Sequence, residues 1–207
     1  MILPKFYPIL DTQLTQRHGL DPVTAAADIL EGGARILQFR HKAFFSRQAF
    51  EWLDEIAKLA NGAGAVLVIN DRADLAKIFR AALHLGQDDV PPFAARPLVG
   101  PRTAIGLSTH NEAQFMAAAA EPVDYIALGP IFGTATKENP DPTVGIKELR
   151  RLYPFAKRPL VAIGGITLSN ADEAIGAGAD SVAVIGDLFP ESGSLRTRVE
   201  EWVRLLG

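Results

Sequence analysis

The chain contains no cysteine. That excludes disulfides, thiolate metal sites and a cysteine nucleophile. No apolar run approaches the roughly 18–20 residues needed to cross a bilayer. The alanines from Ala117 to Ala120 read as part of a helix. A surplus of positive charge is also missing. The net charge is −3 and the pI about 5.8, so no global basic field invites nucleic acid. The opening Met1-Ile2-Leu3-Pro4-Lys5 lacks the basic and long apolar regions of a signal peptide. The expectation is a cytoplasmic protein with neither membrane nor nucleic acid as partner, whose cations act locally. Linkers and low-complexity tails are absent as well, so residues 1–207 are expected to form one domain.

What is present is a recurring pattern. Short β-branched, apolar stretches end abruptly in polar residues, and helix-like segments separate them. Strands are expected near 6–10, 35–39, 65–69, 82–85, 103–107, 124–128, 159–163 and 181–185. Helices are expected near 22–32, 46–62, 73–79, 91–98, 111–120, 145–153, 168–176 and 194–206. Asp21-Pro22 and Ser46 are helix starts. Gly32-Gly33, Gly62-Ala63-Gly64 and Gly176-Ala177-Gly178 are helix stops. The segment between Pro91 and Gly100 is broken by prolines and is the weakest helix. Residues 129–144 form one long irregular stretch, a length usually tied to function. Eight buried parallel strands with chemistry at their C-terminal ends describe a (β/α)8 TIM barrel, an α/β fold whose site lies at that mouth.

The strand ends supply that chemistry. Gln38, Arg40 and Lys42 alternate with Phe39 and His41, so the first three share one side of an extended chain. Two cations and an amide there suit a di- or triphosphate. Asn70-Asp71 ends one strand and Asp89 follows the next. Two carboxylates beside a phosphate site suit Mg²⁺; the alternative makes Asp71 and Asp89 helix N-caps. His84, on an apolar strand, reads as a satisfied core histidine. Ser108 and His110 lack an acid to complete a triad, so Ser108 is read as a ligand-binding hydroxyl and His110 as its neighbour. Thr134, Thr136 and Lys137 fit phosphate oxygens. Gly164-Gly165, before a helix, and Ile185-Gly186 stand where such barrels bind phosphate. The inventory implies a cationic, metal-assisted region for a pyrophosphate and a neutral one for a monophosphate, a place to join two phosphorylated fragments.

These residues resemble the thiamine-phosphate synthase family (thiamine-phosphate pyrophosphorylase) from about Tyr7 to Leu188. The resemblance rests on Q-F-R-H-K at 38–42, N-D at 70–71, H-L-G-Q-D-D at 84–89, G-L-S-T-H at 106–110, G-P-I-F-G-T-A-T-K at 129–137 and I-G-G-I at 163–166. It implies a transferase of thiamine biosynthesis acting on small phosphorylated substrates with Mg²⁺. Gln38, Phe39, Arg40, His41, Lys42, Asn70, Ser108 and Lys137 would hold an aminopyrimidine diphosphate. Arg40, Lys42, Ser108 and Lys137 would be catalytic, and Asp71 and Asp89 would bind the metal. Thr134, Ala135, Thr136, Gly165, Ile185 and Gly186 would hold a thiazole phosphate. Gly186 stands where the family usually has serine, and the Asp71–Asp89 spacing is one residue shorter than usual. Arg40→Ala and Lys137→Ala are expected to lower turnover far more than stability. A homo-oligomer is compatible with this reading. Two alternatives are a thiazole tautomerase-like relative, whose acid–base histidine would stand where this chain has Pro130, and a non-catalytic barrel that binds phosphorylated ligands.

Overall fold

Alternate positions along each strand carry side chains to opposite faces, and this periodicity builds two concentric cores. The computed structural model describes residues 3–133, 142–190 and 192–207. Its strands are β1 (Phe6–Asp11), β2 (Ile36–Arg40), β3 (Val66–Asn70), β4 (Ala82–Leu85), β5 (Ile105–Thr109), β6 (Tyr125–Leu128), β7 (Leu160–Ile163) and β8 (Ser181–Val184). Each pairs in parallel with the next, and β8 returns to β1, closing a barrel. This is the expected (β/α)8 architecture.

Inside the barrel lie Tyr7, Ile9, Ile36, Val68, Ala82, Tyr125, Ala127, Val161 and Ala183. Facing outward are Phe6, Leu10, Leu37, Phe39, Leu67, Ile69, Leu83 and Leu85, packed beneath the helices. Large and small residues interlock in the interior. A Cβ at Gly106 would lie 2.0 Å from the Tyr125 ring, so β5 leaves room for that ring only by having no side chain there.

The helices are α1 (Thr12–Arg17), α2 (Pro22–Glu31), α3 (Arg47–Gly62), α4 (Ala73–Phe79), α5 (Pro92–Val99), α6 (Glu112–Ala118), α7 (Ile146–Leu152), α8 (Ala171–Gly176) and α9 (Leu195–Leu206). Asp21 caps α2, with Pro22 at its first turn, and Ser46 caps α3, as their sequences predict. The weak segment after Pro91 is α5, helical despite Pro97. Several element starts differ from expectation; α8 begins at Ala171, three residues late. The α1 turn has no apolar periodicity to announce it; the Asp11 carboxylate starts it by accepting from the Leu14 N–H. β5 begins two residues later than expected and runs to Thr109, which places Ser108 within the strand. Among the described residues no helix is long and apolar enough to cross a membrane.

Candidate active site

The period that fills the barrel also fixes its mouth. Two residues beyond Ile36, Val68, Ala82 and Gly106 stand Gln38, Asn70, His84 and Ser108, which continue the inward face toward the strand C-termini. All four line a cavity of about 370 Å³, together with Arg40, Lys42, Asp71, Asp89 and His110 on one side and Gly164, Gly165, Ile166, Thr167, Ile185, Gly186 and Asp187 on the other. Side chains distant in sequence thus share one cavity.

The cationic side is built on paired strand ends. Arg40 is ion-paired with Asp11, its register partner on β1. Lys42 Nζ donates to Asp71 Oδ2 at 2.5 Å. Asp71 adopts a left-handed φ of 65°, and its backbone N–H donates to the His84 carbonyl at 2.8 Å. Burial holds the Asp71 carboxyl above its ordinary value, and the adjoining Asp89 carboxyl adds to that; Lys42 opposes it. Asp89 Oδ2 also accepts from the Gly86 N–H at 2.7 Å. Neither carboxylate caps a helix: the residues before α4 and α5 are Arg72 and Pro91. The Asn70 amide nitrogen is buried with no hydrogen-bond partner among the described residues. A buried donor left so costs about 1–3 kcal/mol unless a ligand accepts from it.

Phe39 and His41, expected to touch substrate, face the other way. Phe39 is buried in the outer core. His41 bonds to Thr12 Oγ1 at 2.8 Å and the Phe44 carbonyl at 3.2 Å, and packs against Phe45 and Trp52. The two-residue period requires this, because Gln38 and Arg40 already occupy the cavity face.

His84 is buried and hydrogen-bonded, as its apolar strand suggested. It also lines the cavity, since core and cavity are continuous along the barrel axis. Its ring bonds Tyr125 Oη at 2.9 Å and Ser108 Oγ at 2.9 Å. His110 Nδ1 lies 2.7 Å from the Gly129 carbonyl.

The other side is a tight glycine turn, with Gly186 and the Asp187 carboxyl beside it. Gly164 and Gly165 have φ of 93° and 65°. A Cβ on Gly165 would lie 2.4 Å from the Gly133 carbonyl oxygen. Asn170 clamps the turn: its Oδ1 accepts from the Thr167 N–H at 2.8 Å, and its Nδ2 donates to the Gly165 carbonyl at 2.9 Å. The turn itself, Gly164–Thr167, lines the cavity ahead of α8. Gly186 opens a 3-10 turn over Gly186–Leu188. Thr134, Ala135, Thr136 and Lys137 lie outside the described residues.

Two site residues escape sequence reading. Asp11 ends β1 and orients Arg40; its signal was the same as that of Asp71, a carboxylate closing an apolar run. Asp187 lines the cavity and accepts from Trp202 Nε1 at 3.0 Å. Burial raises its carboxyl above the ordinary value.

A closed parallel barrel with cations, carboxylates and a backbone turn gathered at its strand C-termini has the architecture of a TIM-barrel enzyme, with its cavity at the usual mouth. The sequence matches the family described as thiamine monophosphate synthase over residues 6–188. It is 42% identical to the thiamine-phosphate synthase of Koribacter versatilis, over 99% of this chain and 96% of that protein. It is 42% identical to the Chlorobium phaeovibrioides thiamine-phosphate synthase over 80% of each. Among solved structures, the thiamine phosphate pyrophosphorylase from Pyrococcus furiosus superposes with a TM-score of 0.85 at 28% identity, covering 98% of this chain and 95% of that one. The chain belongs to the thiamine monophosphate synthase family and is a transferase.

Proposed function

We propose that this enzyme joins 4-amino-2-methyl-5-hydroxymethylpyrimidine diphosphate to a thiazole phosphate, giving thiamine phosphate and pyrophosphate. The observation that carries this reading is one cavity with Arg40 and Lys42 on one side and the backbone turn Gly164–Thr167 and Gly186 on the other. The bond to break is the C–O bond between the pyrimidine methylene and the diphosphate. The electron-rich aminopyrimidine bears the resulting positive charge, so the protein needs no covalent nucleophile. Arg40 and Lys42, with Lys137 expected from the family resemblance, would take up negative charge on the departing pyrophosphate. Asn70 supplies a donor for the same ligand. The thiazole nitrogen then attacks the methylene carbon, positioned by its phosphate at the glycine turn.

The chemistry of Asp71 and Asp89 fits a hard divalent cation. Burial and the adjoining Asp89 raise the Asp71 carboxyl, a cost that a divalent cation held by both would offset, and Mg²⁺ would keep waters for its remaining positions. When bound there, Mg²⁺ would neutralise charge on the diphosphate.

Pro130 follows Gly129 at the end of β6, so the tautomerase-like reading lacks its histidine at that point. Turnover with one and with both substrates, with and without Mg²⁺, tests the proposal. Pyrophosphate release that requires both substrates and Mg²⁺ supports it. Isomerisation of a lone thiazole phosphate, or binding without turnover, contradicts it.

A further inference from the structure

Five side chains from five strands form one hydrogen-bonded line across the barrel. Gln38 Nε2 donates to Tyr7 Oη at 2.8 Å. Tyr7 Oη and Tyr125 Oη are 2.9 Å apart. Tyr125 Oη lies 2.9 Å from His84 Nδ1, and His84 Nε2 lies 2.9 Å from Ser108 Oγ. Gln38, Tyr7, Tyr125 and His84 are all buried. Both ends of the line, Gln38 and Ser108, line the cavity.

Counting protons gives the line a direction. Burial raises both phenols above the ordinary tyrosine range, so each keeps its single proton. An amide nitrogen has no lone pair to accept. Tyr7 therefore donates to Tyr125, and Tyr125 donates to His84 Nδ1. That leaves the imidazole proton on Nε2, where it is given to Ser108 Oγ. The serine proton is then turned out of the line.

The geometry points to Tyr7 and Tyr125 as positioning residues that lock His84 in its Nε2–H tautomer, so that the cavity wall offers an acceptor at Gln38 and a donor at Ser108. What that wall faces rests on the function proposed above. An aminopyrimidine amino group would donate to Gln38 at one end of the line, and an acceptor elsewhere on the substrate would take the Ser108 proton at the other. The tautomer itself is independent of the substrate. Gly106 supports a built arrangement, because β5 gives up a side chain to seat the Tyr125 ring.

The test is long-range ¹H–¹⁵N correlation of the histidine rings in the full ligand-free chain, with the His84 signals identified by their loss in His84→Gln. Wild type is expected to show a protonated Nε2 and a bare Nδ1 at His84. Gln38→Glu turns the donor into an acceptor and reverses the line, so the proton is expected on Nδ1. Adding Tyr7→Phe to Gln38→Glu cuts the line and restores the Nε2–H form. Should Gln38→Glu not fold, Tyr125→Phe serves: it removes the donor to Nδ1, and shifts averaged between the two tautomers are expected. An Nδ1–H wild type, a Gln38→Glu ring unchanged from wild type, a reversal that survives Tyr7→Phe, or a Tyr125→Phe ring still held as Nε2–H overturns the proposal. If the tautomers behave as expected but no synthase turnover is seen, the substrate reading fails and the lock stands.

Discussion

Asp11 and Arg40 are register partners on adjacent strands, and their side chains form an ion pair at the rim of the cavity. Asp11 is 4% exposed, and its Oδ1 also accepts from the Leu14 N–H at 2.9 Å. Arg40 is therefore held in place before any ligand arrives. The consequence revises the sequence expectation for Arg40→Ala. Its removal strands a buried carboxylate, so stability is expected to fall by about 1–3 kcal/mol along with turnover. Lys42→Ala, at an exposed ion pair, is expected to change stability by less than about 1 kcal/mol. Asp11→Asn keeps the helix cap and loses the pair. It is expected to lower turnover while α1 stays formed. Denaturant unfolding and steady-state rates on the three variants check this.

Asp71 carries a stability cost that the proposed metal role would explain. Its carboxyl is raised by burial and by Asp89, so the folded state binds its proton more tightly than the unfolded chain does. Stability contributed by this group is therefore lost as pH rises from the ordinary aspartate value through the raised one. Its φ of 65° also suits asparagine better than most residues. Asp71→Asn is expected to stabilise the metal-free protein, by up to about 1–2 kcal/mol, while lowering turnover about 100-fold or more. Mg²⁺ should raise the Tm of wild type above the titration of Asp71, less so below it, and not that of the variant. Thermal melts across pH, with and without Mg²⁺, report all three effects.

At the glycine turn, Gly165→Ala forces a Cβ against the Gly133 carbonyl and the Phe132 side chain at a positive φ. A misplaced backbone of this kind costs about 1–3 kcal/mol. The loss should fall on the proposed thiazole-phosphate side. KM for that substrate is expected to rise with little change in KM for the pyrimidine diphosphate. Equal effects on both would argue that the turn does not hold one substrate alone.

Lys137→Ala is expected to lower kcat about 100-fold, the scale of removing one preorganised charge contact, with Tm within about 2 °C of wild type. Rate and melting curves on one preparation decide it.

Strand ends rich in polar residues made the barrel and much of its rim legible. Gln38, Arg40 and Lys42 could be placed on one face from a two-residue period alone, and the same period turns Phe39 and His41 away. Asp11 was harder to see because a lone aspartate after a short run also reads as a helix cap, and here it is both. Tyr7 and Tyr125 carry no sequence signal that sets them apart from other residues on their strands. Their hydroxyls meet across 118 positions of sequence, a contact that only closure of the barrel creates. His84 read correctly as buried and satisfied, yet its partners, and hence its place at the cavity wall, are set by β5 and β6 and not by its neighbours in the chain.

The most direct test is a crystal soaked with pyrophosphate and Mg²⁺. Density for pyrophosphate is expected against Arg40 and Lys42, with the cation between it and the carboxylates of Asp71 and Asp89. Pyrophosphate bound only at Gly164–Thr167, or a cation held elsewhere, would contradict the division of the cavity on which the proposed reaction depends.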